Sequence, residues 1–267
     1  MATTIRNSLI DQENQGKLCV AFSIKFITSP EVVYIARNAG FNALFIDLEH
    51  SSLSLQVTSQ LCVAALNINV TPFVRVPGRV EAGFIQRVLD NGAQGVIFPH
   101  VDTEEQAQAA VKACKYPPLG KRSVSGMLPH MGFKGTPIAR VLEVGNVGMS
   151  TVIVMIEGPE AVSNVEAIAA VEGVDVVLVG TNDLSIELGH PGEFEHPSFS
   201  ESMEKIGAAV KKHKKILGVA GIYDRPDLMR KFVHVYGARF VIGHGDLPLL
   251  AKASAGVMAE MRAVEST

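Results

Sequence analysis

Eight times along 267 residues a short aliphatic, β-branched run gives way to a longer stretch of helical periodicity, and this alternation restricts the fold more than any other feature. The runs occupy residues 18–24, 43–49, 71–76, 95–101, 151–157, 174–180, 216–221 and 240–244. Two of them, Thr151 to Ile156 and Val174 to Gly180, are almost continuously apolar, as strands covered on both faces are. Strands alternating with helices pair in parallel through right-handed crossovers, and eight is the number that closes a barrel. The expectation is an α/β fold, a single (β/α)8 TIM barrel spanning residues 1–267. Helix boundaries fit it: Ser29-Pro30 reads as an N-cap with a first-turn proline, Thr103 to Gln106 as a capping box, and Gly40, Gly92 and Gly237 as helix stops. A 47% hydrophobic content is enough for one large core, and no Pro- or Ser-rich linker divides the chain.

Three segments depart from the rhythm. Residues 1–15 are polar and read as an extension or a helix. Residues 115–150 hold no obvious strand, and a connection of that length serves either as a lid over the barrel mouth or as an interface arm. The last helix, residues 246–263, carries Leu247, Leu249, Leu250, Ala255, Val257, Met258 and Met261 on more than one stripe. A barrel helix needs one apolar face, so the surplus predicts burial in another subunit of a homo-oligomer.

The formal net charge of −3 gives no basic excess. The one basic run, Lys211 to Lys215, ends a helical pattern and reads as a solvated complement to the helix dipole, so no nucleic-acid partner is expected. Cys19, Cys62 and Cys114 lack metal-ligand spacing and read as reduced core thiols. With no apolar run of membrane-spanning length and no apolar signal core before Gln15, a cytoplasmic protein without a membrane partner is expected.

Chemistry-bearing residues gather where the strands run out. Glu157 and Asp183 each follow a buried strand at a glycine-bearing turn, and strand ends of a parallel barrel converge on one face. They are candidate ligands of one divalent cation, or else caps of the helices that follow. Asp47 and Glu49 would share a strand face, with His50 where the chain leaves the barrel. Arg75 stands where an aliphatic residue is usual. A buried arginine needs an anion, whether Asp47 or Glu49 in the core or a substrate carboxylate or enolate. His100 and Asp102 end the fourth run and are weaker candidates, Asp102 lying beside the helix cap at Thr103. Gly243-His244-Gly245-Asp246 reads as a backbone phosphate site or as a plain turn. His130, His190, His196, His213 and His234 read as structural or surface residues.

Taken in order, Asp47-x-Glu49-His50, Pro72-x-x-Arg75, Tyr116-Pro117-Pro118-x-Gly120-x-Arg122, Glu157 and Gly180-Thr181-Asn182-Asp183-Leu184-Ser185 resemble the HpcH/HpaI aldolases, from about residue 16 to residue 250. These are metal-dependent (class II) pyruvate aldolases of the phosphoenolpyruvate/pyruvate barrel superfamily. The resemblance implies that Glu157 and Asp183 ligate Mg²⁺ or Mn²⁺, with Co²⁺ or Zn²⁺ as alternatives, and that no organic cofactor is used. It implies that Arg75 holds the keto or enolate oxygen and that His50, oriented by Asp47, handles protons. The backbone at Gly180, Thr181 and Asn182 would receive the substrate carboxylate. Glu49, His100 and Arg122 are weaker members of the set. It further implies a hexamer, a trimer of dimers, that exchanges C-terminal helices. Two positions depart from the family: Met155 where a glutamine is usual, and Thr181-Asn182 where Pro-Ala is favoured, which alters the polarity of the pocket.

These residues predict reversible cleavage of a 4-hydroxy-2-oxo acid into pyruvate, or a related 2-oxo acid, and an aldehyde through a metal-stabilised enolate. Decarboxylation of oxaloacetate with capture of the enolate is the alternative. A barrel retained only as an assembly subunit is the non-enzymatic one.

Overall fold

In a computed structural model that describes residues 5–78 and 80–266, the chain closes into a barrel of eight parallel strands in sequence order. They are β1 (Cys19–Ile24), β2 (Ala43–Asp47), β3 (Thr71–Arg75), β4 (Gly95–Phe98), β5 (Thr151–Ile156), β6 (Val176–Gly180), β7 (Ile216–Ala220) and β8 (Phe240–Gly245). Each end lies within three residues of the predicted span. The helices are α1 (Ser8–Asn14), α2 (Glu31–Asn38), α3 (Leu55–Asn67), α4 (Ala82–Asp90), α5 (Glu104–Cys114), α6 (Ile138–Gly148), α7 (Pro159–Ala170), α8 (Thr181–Glu187), α9 (Pro197–Lys212), α10 (Pro226–His234) and α11 (Asp246–Glu265). Thr103 and Gln106 complete the expected capping box on α5.

Period-two alternation divides the strands between two cores. Ala21, Phe45, Phe73, Ile97, Ile153, Met155, Leu178, Phe240 and Ile242 fill the barrel interior. Their neighbours, among them Leu44, Ile46, Val74, Val152, Val154 and Val177, pack outward against the helices. One layer above Phe45 and Phe73 the same inward parity delivers Asp47 and Arg75, which are register partners across β2 and β3. The interior is therefore hydrophobic through its middle and charged at its upper rim.

The lower end is sealed by the N-terminal segment. Asn7 caps α1 and donates from Nδ2 to Thr151 Oγ1 at 3.0 Å, while Leu9 joins the interior cluster. Residues 1–15 are thus partly a helix, of which residues 1–4 lie outside the described part.

The long 115–150 connection lies at this lower end too, which overturns its reading as a lid. It starts where α5 ends and finishes where β5 begins, and in a parallel barrel every helix-to-strand passage is on the face opposite the mouth. Gln94, just before β4, donates from Nε2 to Gly148 O at 2.9 Å, and His130 Nε2 lies 2.9 Å from Ala93 O. Tyr116, Leu128, Met131, Val141 and Met149 form a separate small core beneath it. Arg122 belongs to this floor and not to the active-site mouth. It is 4% exposed, pairs with Asp90 at 2.8 Å, reaches Met149 O at 3.3 Å and lies 4.7 Å over the Tyr116 ring. The motif containing it is a structural brace, because the chain passes the bottom of the barrel at that point.

Cys19, Cys62 and Cys114 are free and buried, and burial pushes the thiols of Cys19 and Cys114 up to about 12. Among the described residues no helix is long and apolar enough to cross a membrane. In α11 only Asp246 is buried, and Leu247, Leu250, Val257, Met258, Met261 and Val264 are all exposed. Beyond its first turns this helix leaves its own barrel, so it presents not one surplus stripe but nearly its whole apolar surface.

Candidate active site

Asp47 ends β2 fully buried, and the upper rim is organised around it. Arg75 grips it with a two-point fork, Nε to Oδ1 at 2.9 Å and Nη2 to Oδ2 at 2.6 Å. Lys25 adds a second cation 3.1 Å from Oδ2. Burial alone would push the Asp47 carboxyl up, but the Arg75 fork and Lys25 outweigh it and hold the group below the usual range. Arg75 also makes an ion pair with Glu49, Nη1 lying 3.0 Å from Oε2 without hydrogen-bond geometry. Both expected core partners are therefore real, yet Arg75 still lines the cavity with three of its five N–H donors outside any hydrogen bond.

Two details differ from expectation. β2 stops at Asp47, so Glu49 is placed by the turn that follows rather than by a shared strand face. Asp47 Oδ1 accepts the backbone N–H groups of Glu49 (3.0 Å) and His50 (3.3 Å), an Asx-type turn that ends the strand. Asp47 consequently fixes the His50 backbone and not its ring. The ring is mostly exposed at the mouth, with Nε2 3.6 Å from Glu49 Oε2.

Across the rim, Glu157 follows β5 directly and is 3% exposed. Its Oε2 accepts the backbone N–H of His100 at 2.8 Å, and the His100 ring lies alongside with Nδ1 at 3.3 Å. Burial raises the Glu157 carboxyl above the usual range; His100 and Arg75 oppose that rise, and the charge of Asp183 adds to it. Asp183 lies in the first turn of α8. Neither acid caps a helix: the N-cap positions of α7 and α8 are Gly158 and Gly180, without side-chain bonds. Gly180 is required by close approach, since a Cβ there would overlap Glu157 Oε1. A buried carboxylate held beside a second one is the hard-oxygen pairing that suits a divalent cation. Among the described residues no third His, Cys, Asp or Glu joins them, so water or substrate oxygens would complete the coordination.

These residues enclose a cavity of about 220 Å³ at the barrel mouth. Arg75, His50, Met155, Gly180, Thr181, Asn182, Glu157 and Asp183 are brought together around it, whereas Glu49 and His100 do not line it. Thr181 turns its hydroxyl away to Ala220 O at 2.8 Å, leaving Asn182 as the new amide at the mouth. Asp102 sits outside, in the turn before α5. Three lining residues with polar side chains are absent from the sequence candidates: Ser23, Lys25 and Tyr223. Lys25 stands directly after the predicted strand 18–24, at the same end of the barrel as Glu157, and that placement was the available signal.

The Gly243 to Asp246 segment is not a phosphate site. The Asp246 carboxylate accepts the backbone N–H groups of Phe26 (2.9 Å) and Ile27 (2.7 Å), so this turn ties the β1–α2 loop to the last helix. A larger cleft of about 620 Å³ opens at the lower end among Lys211, Lys214, Lys215 and Arg239. Lys215 and Arg239 donate to backbone carbonyls there, and Lys212 pairs with Glu166, so the basic run braces the fold. The chemistry-bearing constellation lies in the smaller cavity.

The HpcH/HpaI aldolase/citrate lyase family model matches residues 26–241. The chain belongs to this family. It is 47% identical to a 4-hydroxy-4-methyl-2-oxoglutarate aldolase of Chaetomium globosum over 93% of this chain and 92% of the relative. Identity is 48% to the enzyme of the same name from Hapsidospora irregularis, over 92% and 91% of the two chains. The HpcH/HpaI aldolase of Desulfitobacterium hafniense superposes with a TM-score of 0.88 at 30% identity, over 95% of this chain and 96% of that one. The protein is an aldolase, a carbon–carbon lyase.

Proposed function

We propose that this aldolase is a divalent-metal-dependent, class II enzyme that reversibly cleaves 4-hydroxy-4-methyl-2-oxoglutarate or a close 4-hydroxy-2-oxo acid, releasing pyruvate. The observation that carries the reading is one cavity lined by the Glu157–Asp183 pair together with Arg75. Near-half identity to two aldolases named for that compound supports the substrate. Breaking its C3–C4 bond gives pyruvate from each half, so the acceptor carbonyl is then a 2-oxo acid; substrates with hydrogen at C4 release an aldehyde.

Glu157 and Asp183 would hold the cation, Mg²⁺ or Mn²⁺ suiting two hard carboxylates, and when bound it supplies a Lewis acid at the substrate's oxo group. Arg75 turns its free N–H donors toward the oxygen on which negative charge develops; its two carboxylate partners hold it rigid, so little reorganisation accompanies the reaction. His50, exposed at the mouth beside Glu49, gives or takes the proton of the C4 oxygen. The uncapped first turn of α8 at Gly180, Thr181 and Asn182 offers backbone N–H groups to the C1 carboxylate. Met155 presents a thioether to the same cavity and narrows the choice of substrate by removing a hydrogen-bonding group.

The remaining features belong to the same reading: a cytoplasmic hexamer, a trimer of dimers, in which α11 crosses to a neighbouring barrel. The nearly bare apolar surface of α11 supports the exchange. The test is pyruvate release from a panel of 4-hydroxy-2-oxo acids and oxaloacetate, with EDTA and with Mg²⁺ or Mn²⁺ restored. Metal-dependent release highest for 4-hydroxy-4-methyl-2-oxoglutarate is expected. Preference for oxaloacetate would move the protein to the decarboxylating alternative.

A further inference from the structure

Eight strands in sequence order place β1 halfway round the barrel from β5, so the residue after β1 faces the residue after β5 across the mouth. Those residues are Lys25 and Glu157, and both line the central cavity. A 4-hydroxy-2-oxo acid whose C1 carboxylate and C2 oxygen lie toward Glu157 and Asp183 extends C3, C4 and the C4 substituents toward the opposite wall. What stands on that wall then decides which substituents C4 can carry.

Lys25 is suited to a negative one. Its side chain is 39% exposed and spends one contact, at 3.1 Å, on Asp47, whose carboxylate is already forked by Arg75. The other two ammonium N–H groups are open to the cavity. Arg75 is braced by two carboxylates, Asp47 and Glu49, which leaves Lys25 the less neutralised cation at the mouth. Nor is it carried on a loose loop. The buried Asp246 carboxylate accepts the backbone N–H groups of Lys25, Phe26 and Ile27 at 3.2, 2.9 and 2.7 Å, fixing where the side chain departs. Tyr223, stacked on His244 with ring centroids 4.9 Å apart, stiffens the adjoining wall.

We infer that Lys25 is a specificity-determining residue, binding a carboxylate carried on C4 of the substrate, which in the condensing direction is the carboxylate of a 2-oxo acid acceptor. This rests on the reading of the cavity as a 4-hydroxy-2-oxo acid site. It makes the enzyme selective for dicarboxylic substrates over those whose acceptor half is neutral.

The experiment compares kcat/KM for 4-hydroxy-4-methyl-2-oxoglutarate with that for 4-hydroxy-4-methyl-2-oxopentanoate, which has a methyl group in place of the distal carboxylate. The ratio is the quantity read, because any general loss transmitted through Asp47 cancels from it. In Lys25→Met the ratio is expected to fall about 10- to 100-fold, the range for one charge-assisted contact. Lys25→Arg, which keeps the charge, should retain it within about threefold. An unchanged ratio in Lys25→Met, or an equally deep fall in Lys25→Arg, overturns the assignment while leaving the aldolase reading standing. A wild-type enzyme inactive on both compounds instead overturns the proposed substrate, and the role of Lys25 with it.

Discussion

Arg75 has two duties that a substitution would expose separately. Its guanidinium neutralises Asp47 and Glu49 inside the rim and also aims free donors into the cavity. Arg75→Ala is therefore expected to lower kcat at least ~100-fold through loss of a preorganised donor. It should also cost about 3–5 kcal/mol of stability, because two carboxylates lose their partner in a buried setting. Steady-state kinetics and urea denaturation read the two effects independently; full stability with lost activity would mean that the pairing contributes little to folding. For the acids across the mouth, Glu157→Gln and Asp183→Asn should each weaken Mg²⁺ or Mn²⁺ binding at least ~10-fold by calorimetry, while the fold persists. Relief of Glu157's burial in the charged state makes the first of these variants more stable without metal than the wild type.

At the scale of elements, the 115–150 connection shows how a segment that looks functional serves the fold. Its His130 is buried, bonded through Nε2 to Ala93 O, and burial lowers its imidazole to about 4. A base whose folded value lies below its unfolded value of about 6.5 binds its proton more readily in the unfolded chain. Stability from the neutral ring is thus complete above pH ~6.5 and is lost as pH falls toward 4, on the order of 3 kcal/mol across that window. Denaturation midpoints of wild type and His130→Gln between pH 7.5 and 4.5 should show the variant with the flatter acid limb. Parallel limbs would remove His130 as the titrating group. In the same way, Asp246 serves the architecture, using one carboxylate to tie the β1–α2 loop to α11.

At the scale of the whole molecule, the exposed apolar residues of α11 are what the proposed assembly would cover. Residues after the first turns of α11 leave a bare apolar helix, which water disfavours at roughly 25 cal/mol per Å² of apolar surface. A closed homo-oligomer is the expected form, a hexamer by the family's pattern, and light scattering at micromolar concentration should report its mass. Met258→Glu and Met261→Glu together should shift the mass toward smaller species, since each places a charge within the surface that assembly covers. A fully active monomer would contradict the assembly.

Sequence alone determined the eight strands, because a buried parallel strand admits few residues other than aliphatic ones and the turns between them are marked by glycine and proline. It determined the inward parity of Asp47, Arg75 and Met155 as well, since side-chain direction along a strand follows from counting by two. Glu157, Asp183 and His50 were legible as rim candidates for a different reason, since each stands where an apolar run gives way to a turn. What the tertiary structure decided was every relation between residues far apart in the chain. It sent Arg122 and the long connection to the floor, gave Asp47 to the Arg75 fork and to two backbone N–H groups in place of the His50 ring, and set Lys25 across the mouth from Glu157. Closure of the barrel fixes these distances, and closure is a property of all eight strands at once that no local pattern contains.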